Sequence, residues 1–241
     1  MIKIMKRVYG KAADLLFPRR CPVCDRPVRP SGELICPECE SDVRYICSPF
    51  CMKCGKSLDS DEKELCHDCT VRRHVFDSGR SLFEYRSICS SVYAFKYKGR
   101  QEYAEYYGDR ISEMLGKVIL SWKPDALIPV PIHESRRRER GYNQSDVLAK
   151  AIGKRIDIPV YTDWISRCRK TAPQKELEPA ERQKNLKKAF KIIHDDVKLN
   201  TIVIIDDIYT TGSTIDNVAQ CAKDAGVKKI YFITLAIGKG M

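Results

Sequence analysis

Apolar and polar positions along this chain follow two periods, and the alternation between them outlines an α/β fold. Ile202–Ile205 are four consecutive branched aliphatics, which suits a strand buried on both faces of a parallel sheet better than an alternating surface strand. Asp125–Ile132 (DALIPVPI) is a second buried strand, where Pro129 and Pro131 mark the end of regular pairing, and Lys229–Ile237 is a third. Ser81–Tyr85 and Ala189–Ile193 are strand-like as well. Between them the spacing becomes helical over Ile88–Tyr97 and Glu102–Leu120, which are divided by Lys98-Gly99-Arg100. Further helices are patterned by Val147, Leu148, Ala151 and Ile152, by the segment containing Arg182, Asn185, Lys187 and Lys188, and by Ile215, Val218, Ala219 and Ala222. Such alternation predicts a mainly parallel sheet flanked by helices, with its site at the carboxyl ends of the strands. Met5, Val8, Ala12, Leu15 and Leu16 predict one more short amphipathic helix over residues 1–17, ended by Pro18.

The strand predicted over Thr201–Asp207 delivers two adjacent acids, Asp206 and Asp207, to its carboxyl end. Thr210, Thr211, Ser213 and Thr214 then supply hydroxyls around Gly212, immediately before a helix. Amide donors, hydroxyls and the positive end of a helix dipole make a site for a phosphate dianion. The paired acids can accept hydrogen bonds from sugar hydroxyls or hold a hard cation.

Cysteine usage adds a second module. Nine of the twelve cysteines lie between Cys21 and Cys69, and eight of them fall into Cys-x-x-Cys pairs: Cys21/Cys24, Cys36/Cys39, Cys51/Cys54 and Cys66/Cys69. Eleven residues separate the two pairs within each unit, and the whole unit repeats at an offset of thirty. Four thiolates in two such knuckles give Zn²⁺ a closed tetrahedral shell, so the repeat predicts a double zinc ribbon with two structural sites. Two pairings are open, consecutive ribbons or a cross-braced arrangement, and the compactness of each repeat favours the consecutive one. Cys47 and His67 stand outside both sets. The predicted organisation is an N-terminal helix plus double zinc ribbon over 1–70, a linker over 71–79 and an α/β domain over 80–241.

The chain has 241 residues, enough for one substantial core and a small second module, and its formal net charge of +11 favours polyanionic partners. No apolar run is long enough to span a bilayer, and residues 1–20 lack the pattern of a signal peptide, so no stable membrane insertion and a cytoplasmic location are expected. The cations gather in three segments. In Tyr93–Arg100 aromatic residues interleave with Lys96, Lys98 and Arg100, which suits either stacked bases on a tracked backbone or core aromatics with snorkelling lysines. His133–Gln144 carries Arg136, Arg137, Arg138 and Arg140, read as a loop of guanidinium forks for pyrophosphate or successive phosphodiesters. Arg167 and Arg169 open the third.

The segment from Asp206 to Thr214 resembles the phosphoribosyl-pyrophosphate (PRPP) signature of type I phosphoribosyltransferases. That resemblance makes Asp206 and Asp207 ribose contacts, Thr210 through Thr214 the 5′-phosphate cradle, and Pro129, Val130 and Pro131 the pyrophosphate loop. It also makes His133–Arg140 the mobile segment closing over the site, and brings Mg²⁺ with PRPP. With the paired knuckles, Lys98-Gly99-Arg100, PVPIHESRRRERGYNQ at 129–144, Arg167-x-Arg-x-Thr-x-x-Gln174 and Arg182-x-x-Asn185, almost the full length resembles the ComF family of competence-associated proteins. Membership implies a type I phosphoribosyltransferase-like domain behind a double zinc ribbon, a role in DNA uptake and natural transformation, single-stranded DNA and a helicase-like competence protein as partners, and a pocket for PRPP or a related phosphorylated ligand. The DNA contacts it suggests are Lys96, Lys98, Arg100, Arg136, Arg137, Arg138, Arg140, Arg167 and Arg169. The alternative is an active phosphoribosyltransferase with an unknown nitrogen acceptor. Purine-salvage relatives often place an acid where this chain has Thr210, and threonine cannot act as the base for a purine nitrogen at neutral pH.

Overall fold

The unbroken apolar run becomes the interior of a sheet covered on both faces. The computed structural model describes residues 18–30, 32–168, 189–194 and 196–238. Four parallel strands run in the order β1 (Ser78–Glu84), β6 (Lys229–Ile237), β5 (Thr201–Tyr209), β2 (Ala126–Pro129). Val203 and Ile205 point to one face, joining Leu127, Ile233 and Leu235 beneath α3 (Tyr85–Tyr97), α4 (Tyr103–Ser121) and α6 (Gln144–Ile156). Ile202 and Ile204 point to the other, joining Ala126, Ile128, Ile230 and Phe232 against α7 (Ser213–Asp224). Each of these side chains is fully buried, and each of them except Ala126 contributes about 1.5–3 kcal/mol of hydrophobic stabilisation.

Two differences from the sequence pattern have local causes. β1 begins at Ser78, three residues before the strand expected at Ser81, because Phe76 is fully buried against Phe232 and Asp77 accepts from the Ile230 amide, anchoring the approach. The arginine run is not a loop but the helix α5 (Glu134–Arg140). Glu and Arg are good helix formers. His133 caps its start by accepting from the Ser135 amide, and Gly141, at φ 79°, ends it. Beside the main sheet, β3 (Ile165–Arg167) pairs antiparallel with β4 (Phe190–Ile192). The helices expected over residues 1–17 and around Arg182, together with Arg169, lie outside the described residues.

The ribbons are two copies of one template. Cys21, Cys24, Cys36 and Cys39 form one cluster and Cys51, Cys54, Cys66 and Cys69 the other, with the sulfurs of each set within 4.8 Å of one another. The pairing is therefore consecutive, both sets fit a structural Zn²⁺, and Cys47 and His67 are in neither. The backbone repeats as well: Cys21 N donates to Arg26 O and Cys51 N to Lys56 O, while α1 (Pro37–Glu40) recurs thirty residues on as α2 (His67–Val71). The copies pack on opposite faces of the sheet, the first in the cluster under α3 and α4, the second in the cluster under α7. Together they cover the outer side of β1, where Ile46 N donates to Leu82 O, Glu84 N to Arg44 O and Gly79 N to Lys53 O.

Candidate ribose-phosphate site

β5 ends two residues beyond the acid pair, so Asp206 and Asp207 lie near its carboxyl end and Thr210–Gly212 form the turn into α7. Gly212 is in the left-handed region at φ 78°, and a Cβ there would sit 2.5 Å from Tyr209 Oη and 3.0 Å from His74 Cε1. Only glycine fits that conformation and that space. No side chain caps α7, which leaves its first amides to an incoming acceptor. Thr210, Thr211 and Thr214 are exposed around them, and the hydroxyls of Thr211 and Ser213 lie 2.9 Å apart.

The loop is fastened from behind by the segment leaving the second ribbon. His74 Nδ1 lies 2.8 Å from Asp216 Oδ2, and the Val75 amide donates to Asp216 Oδ1 at 2.8 Å. The His74 ring, 2% exposed, stacks on Phe76. Residues 71–79, read from sequence as a linker, thus contribute a buried histidine to the underside of the phosphate loop. His74 carries no motif, and its partner is 142 positions away.

Asp206 is held by two donors, since Ser145 Oγ and the Asp207 amide both donate to its Oδ1, at 3.1 and 2.9 Å. Burial pushes its carboxyl up to about 6, against the opposing pull of the Lys96 charge and the Ser145 hydroxyl. Asp207 Oδ2 meets Lys96 Nζ at 2.5 Å. Burial lowers Lys96 to about 8; Asp206 resists this, and Arg140 and Arg136 add to it. Ser145 stands at the start of α6, where Asn143 caps the helix by accepting from the Ser145 amide. The Asn143 amide group donates to Val130 O at 3.0 Å and to Asp146 Oδ1 at 2.7 Å, and so ties Pro129–Pro131 to the acid pair. Val130 itself is buried, its amide donating to Ile205 O.

The basic residues are divided among separate tasks. Lys96 belongs to the acid pair. Arg100 points the other way, into the first ribbon, where its Nε and NH2 donate to the two oxygens of Asp25 at 2.8 and 3.1 Å. Lys98 is exposed. Arg140 donates to Tyr97 Oη at 3.0 Å with its guanidinium 4.6 Å from the ring centroid. Arg138 pairs along α5 with Glu134, and Arg136 and Arg137 are exposed on the same helix. Arg167 lies on β3 over the Phe190 ring, within electrostatic reach of Asp206 and Arg136. Lys96 and Arg167 therefore act on the acids, with Arg136 and Arg140 within electrostatic reach of Lys96, whereas Arg100 is turned away. Tyr93 and Tyr97, 57% and 52% exposed with ring centroids 5.0 Å apart, form an open aromatic surface on α3 beside α5. Among the described residues no helix is long and apolar enough to cross a membrane.

Comparison with known proteins adds four findings. Residues 12–70 match the double zinc ribbon domain. The chain is 26% identical over 231 residues to competence protein F of Haemophilus influenzae, spanning 91% of this chain and 97% of that one. It is 31% identical over 214 residues to the DNA utilization protein YhgH of Salmonella typhi, spanning 86% and 91%. Among solved structures, a purine phosphoribosyltransferase from Pyrococcus horikoshii is similar over 54% of this chain and 72% of its own, with 22% identity and a TM-score of 0.33.

Proposed function

Because the chain belongs to the ComF family of competence-associated proteins, we propose that it handles single-stranded DNA during DNA uptake and carries a pocket for a ribose 5-phosphate moiety such as that of PRPP. The observation that carries this reading is the uncapped start of α7, turned by Gly212 directly beside the buried pair Asp206 and Asp207. A phosphate accepts from the loop amides and hydroxyls while the acids accept from sugar hydroxyls. Its surroundings suit a strand of nucleic acid: exposed arginines on α5 for phosphates, and Tyr93 and Tyr97 for bases.

Fluorescence anisotropy with a labelled oligonucleotide, titrated across salt and repeated with PRPP, tests both halves. Affinity should fall steeply with salt, and each phosphate contact removed by Arg136→Glu or Arg137→Glu should flatten the slope of log K against log salt by about 0.7. Binding indifferent to salt and to both reversals sinks the DNA half. Direct calorimetry with PRPP tests the pocket, and an Asp206→Asn/Asp207→Asn protein that binds PRPP as the native chain does would remove it.

A further inference from the structure

The pocket assigned above to a ribose phosphate already holds a cation of its own. Lys96 reaches in from the last turn of α3, its side chain 20% exposed and its Nζ 2.5 Å from Asp207 Oδ2. Magnesium requires a near-octahedral shell of oxygens, usually taking one or two carboxylates together with ligand phosphates. Here one oxygen of each carboxylate is already taken up within the protein. Asp207 has an oxygen on Lys96, and Asp206 Oδ1 accepts from both Ser145 and the Asp207 amide.

Charge points the same way. Arg136 and Arg140 act on Lys96, and Arg167 acts on Asp206, so two acids share their surroundings with four cationic side chains. An unaccompanied divalent ion is repelled by that excess, and a phosphate dianion is attracted by it. An ammonium carries three donors, and Lys96 meets Asp207 as an ion pair without a hydrogen bond, so its donors are open to the oxygens of a sugar phosphate.

We propose that Lys96 contacts the ligand in this pocket and takes the place a divalent cation would hold against the acid pair, so that a ribose 5-phosphate binds without magnesium. The proposal rests on the ribose-phosphate reading of the site. It reassigns Lys96 from the DNA surface expected in the sequence to the floor of the pocket, and it makes the identity of residue 96 decide whether the site depends on a metal.

Calorimetric titration of the full chain with ribose 5-phosphate is the test. This probe lacks the pyrophosphate through which PRPP carries its own magnesium. Divalent ions are removed from the buffer with a chelating resin before protein is added, because a dissolved chelator would threaten the cysteine-bound zinc. The native dissociation constant should move by less than about twofold when magnesium is supplied, whereas Lys96→Met should bind about tenfold more weakly or worse and recover part of that loss with magnesium. Lys96→Gln, with retained zinc content and thermal midpoint as checks on folding, should repeat the result. A native chain that requires magnesium overturns the proposal and leaves the pocket reading standing. Folded Lys96 variants that bind like the native chain without magnesium overturn it as well. If the native chain takes up no ribose 5-phosphate with or without magnesium, the pocket reading fails, and the proposal with it.

Discussion

At the same place in each ribbon the chain takes a left-handed turn, Asp25 at φ 57° in the first and Gly55 at φ 75° in the second. The two turns face the α/β domain in opposite ways. Asp25 extends a carboxylate to Arg100 and to the Tyr103 hydroxyl, at 2.8 and 2.6 Å for the nearest contacts. Gly55 presents bare backbone, and a Cβ on it would lie 2.9 Å from Arg80 Cα and from Gly79 O of β1. One ribbon is held by an ionic latch at the turn between α3 and α4, the other by backbone laid against the sheet. The second ribbon also passes directly into His74 and the phosphate loop. A duplicated metal module has kept one template while its copies acquired different attachments, and only one of them leads to the site.

The sharpest way to break this comparison is to remove one metal at a time. Structural zinc supplies on the order of 10 kcal/mol to modules of this size, so Cys51→Ser/Cys54→Ser and Cys21→Ser/Cys24→Ser should each lower zinc content by one equivalent. The first pair should in addition lower affinity for ribose 5-phosphate by about tenfold or more, through loss of the platform behind Gly212, while the second leaves it within about threefold. Equal losses of affinity would show that neither ribbon is specially linked to the loop.

A smaller effect is expected at the turns themselves. Gly55→Ala should cost about 2–3 kcal/mol, from strain at positive φ and overlap with β1, and should lower the thermal midpoint by about 5–10 °C. A variant as stable as the native chain would contradict the backbone contact.

The smallest effect sharpens the comparison through pH. Burial raises the Asp25 carboxyl, but the bonds from Arg100 and Tyr103 outweigh it and hold the group below its usual range. An acid depressed in the folded state contributes its stability above the unfolded pKa of about 3.9 and loses it as pH falls through the folded value. Asp25→Asn should therefore cost about 1 kcal/mol near neutrality and flatten the acid limb of the stability curve. Gly55→Ala should shift that curve without changing its shape. Identical acid limbs in the native chain and Asp25→Asn would remove the ionic latch.

The features legible in the sequence are those carried by neighbouring residues. Cysteine spacing is enough to identify the eight ligands, though their division into two consecutive shells comes from the fold, and Ile202–Ile205 with the acids and the hydroxyl-rich turn lie within one short stretch. Roles that depend on distant partners leave no such trace. Arg100 reads as a nucleic-acid contact because Asp25 is 75 positions away, and His74 reads as linker because Asp216 is farther still. Lys96 sits in a run of aromatics and cations that describes a surface equally well, and only folding places its ammonium among the acids. The arginine run misleads for another reason: dense charge suggests an open loop, although residues of that kind favour a helix once His133 and Gly141 supply its ends.

The cover over the outer side of β1 also bears on how the chain is made. An uncovered edge strand with an apolar centre such as Ser81-Leu82-Phe83 is a template for pairing with other chains. Both ribbons precede β1 in the sequence, so during synthesis they can take up zinc and fold before that strand has emerged. When metal is scarce the order fails, and β1 emerges with its edge open. Metal-depleted protein is therefore expected to aggregate more readily than the zinc-loaded chain, which light scattering before and after zinc removal checks.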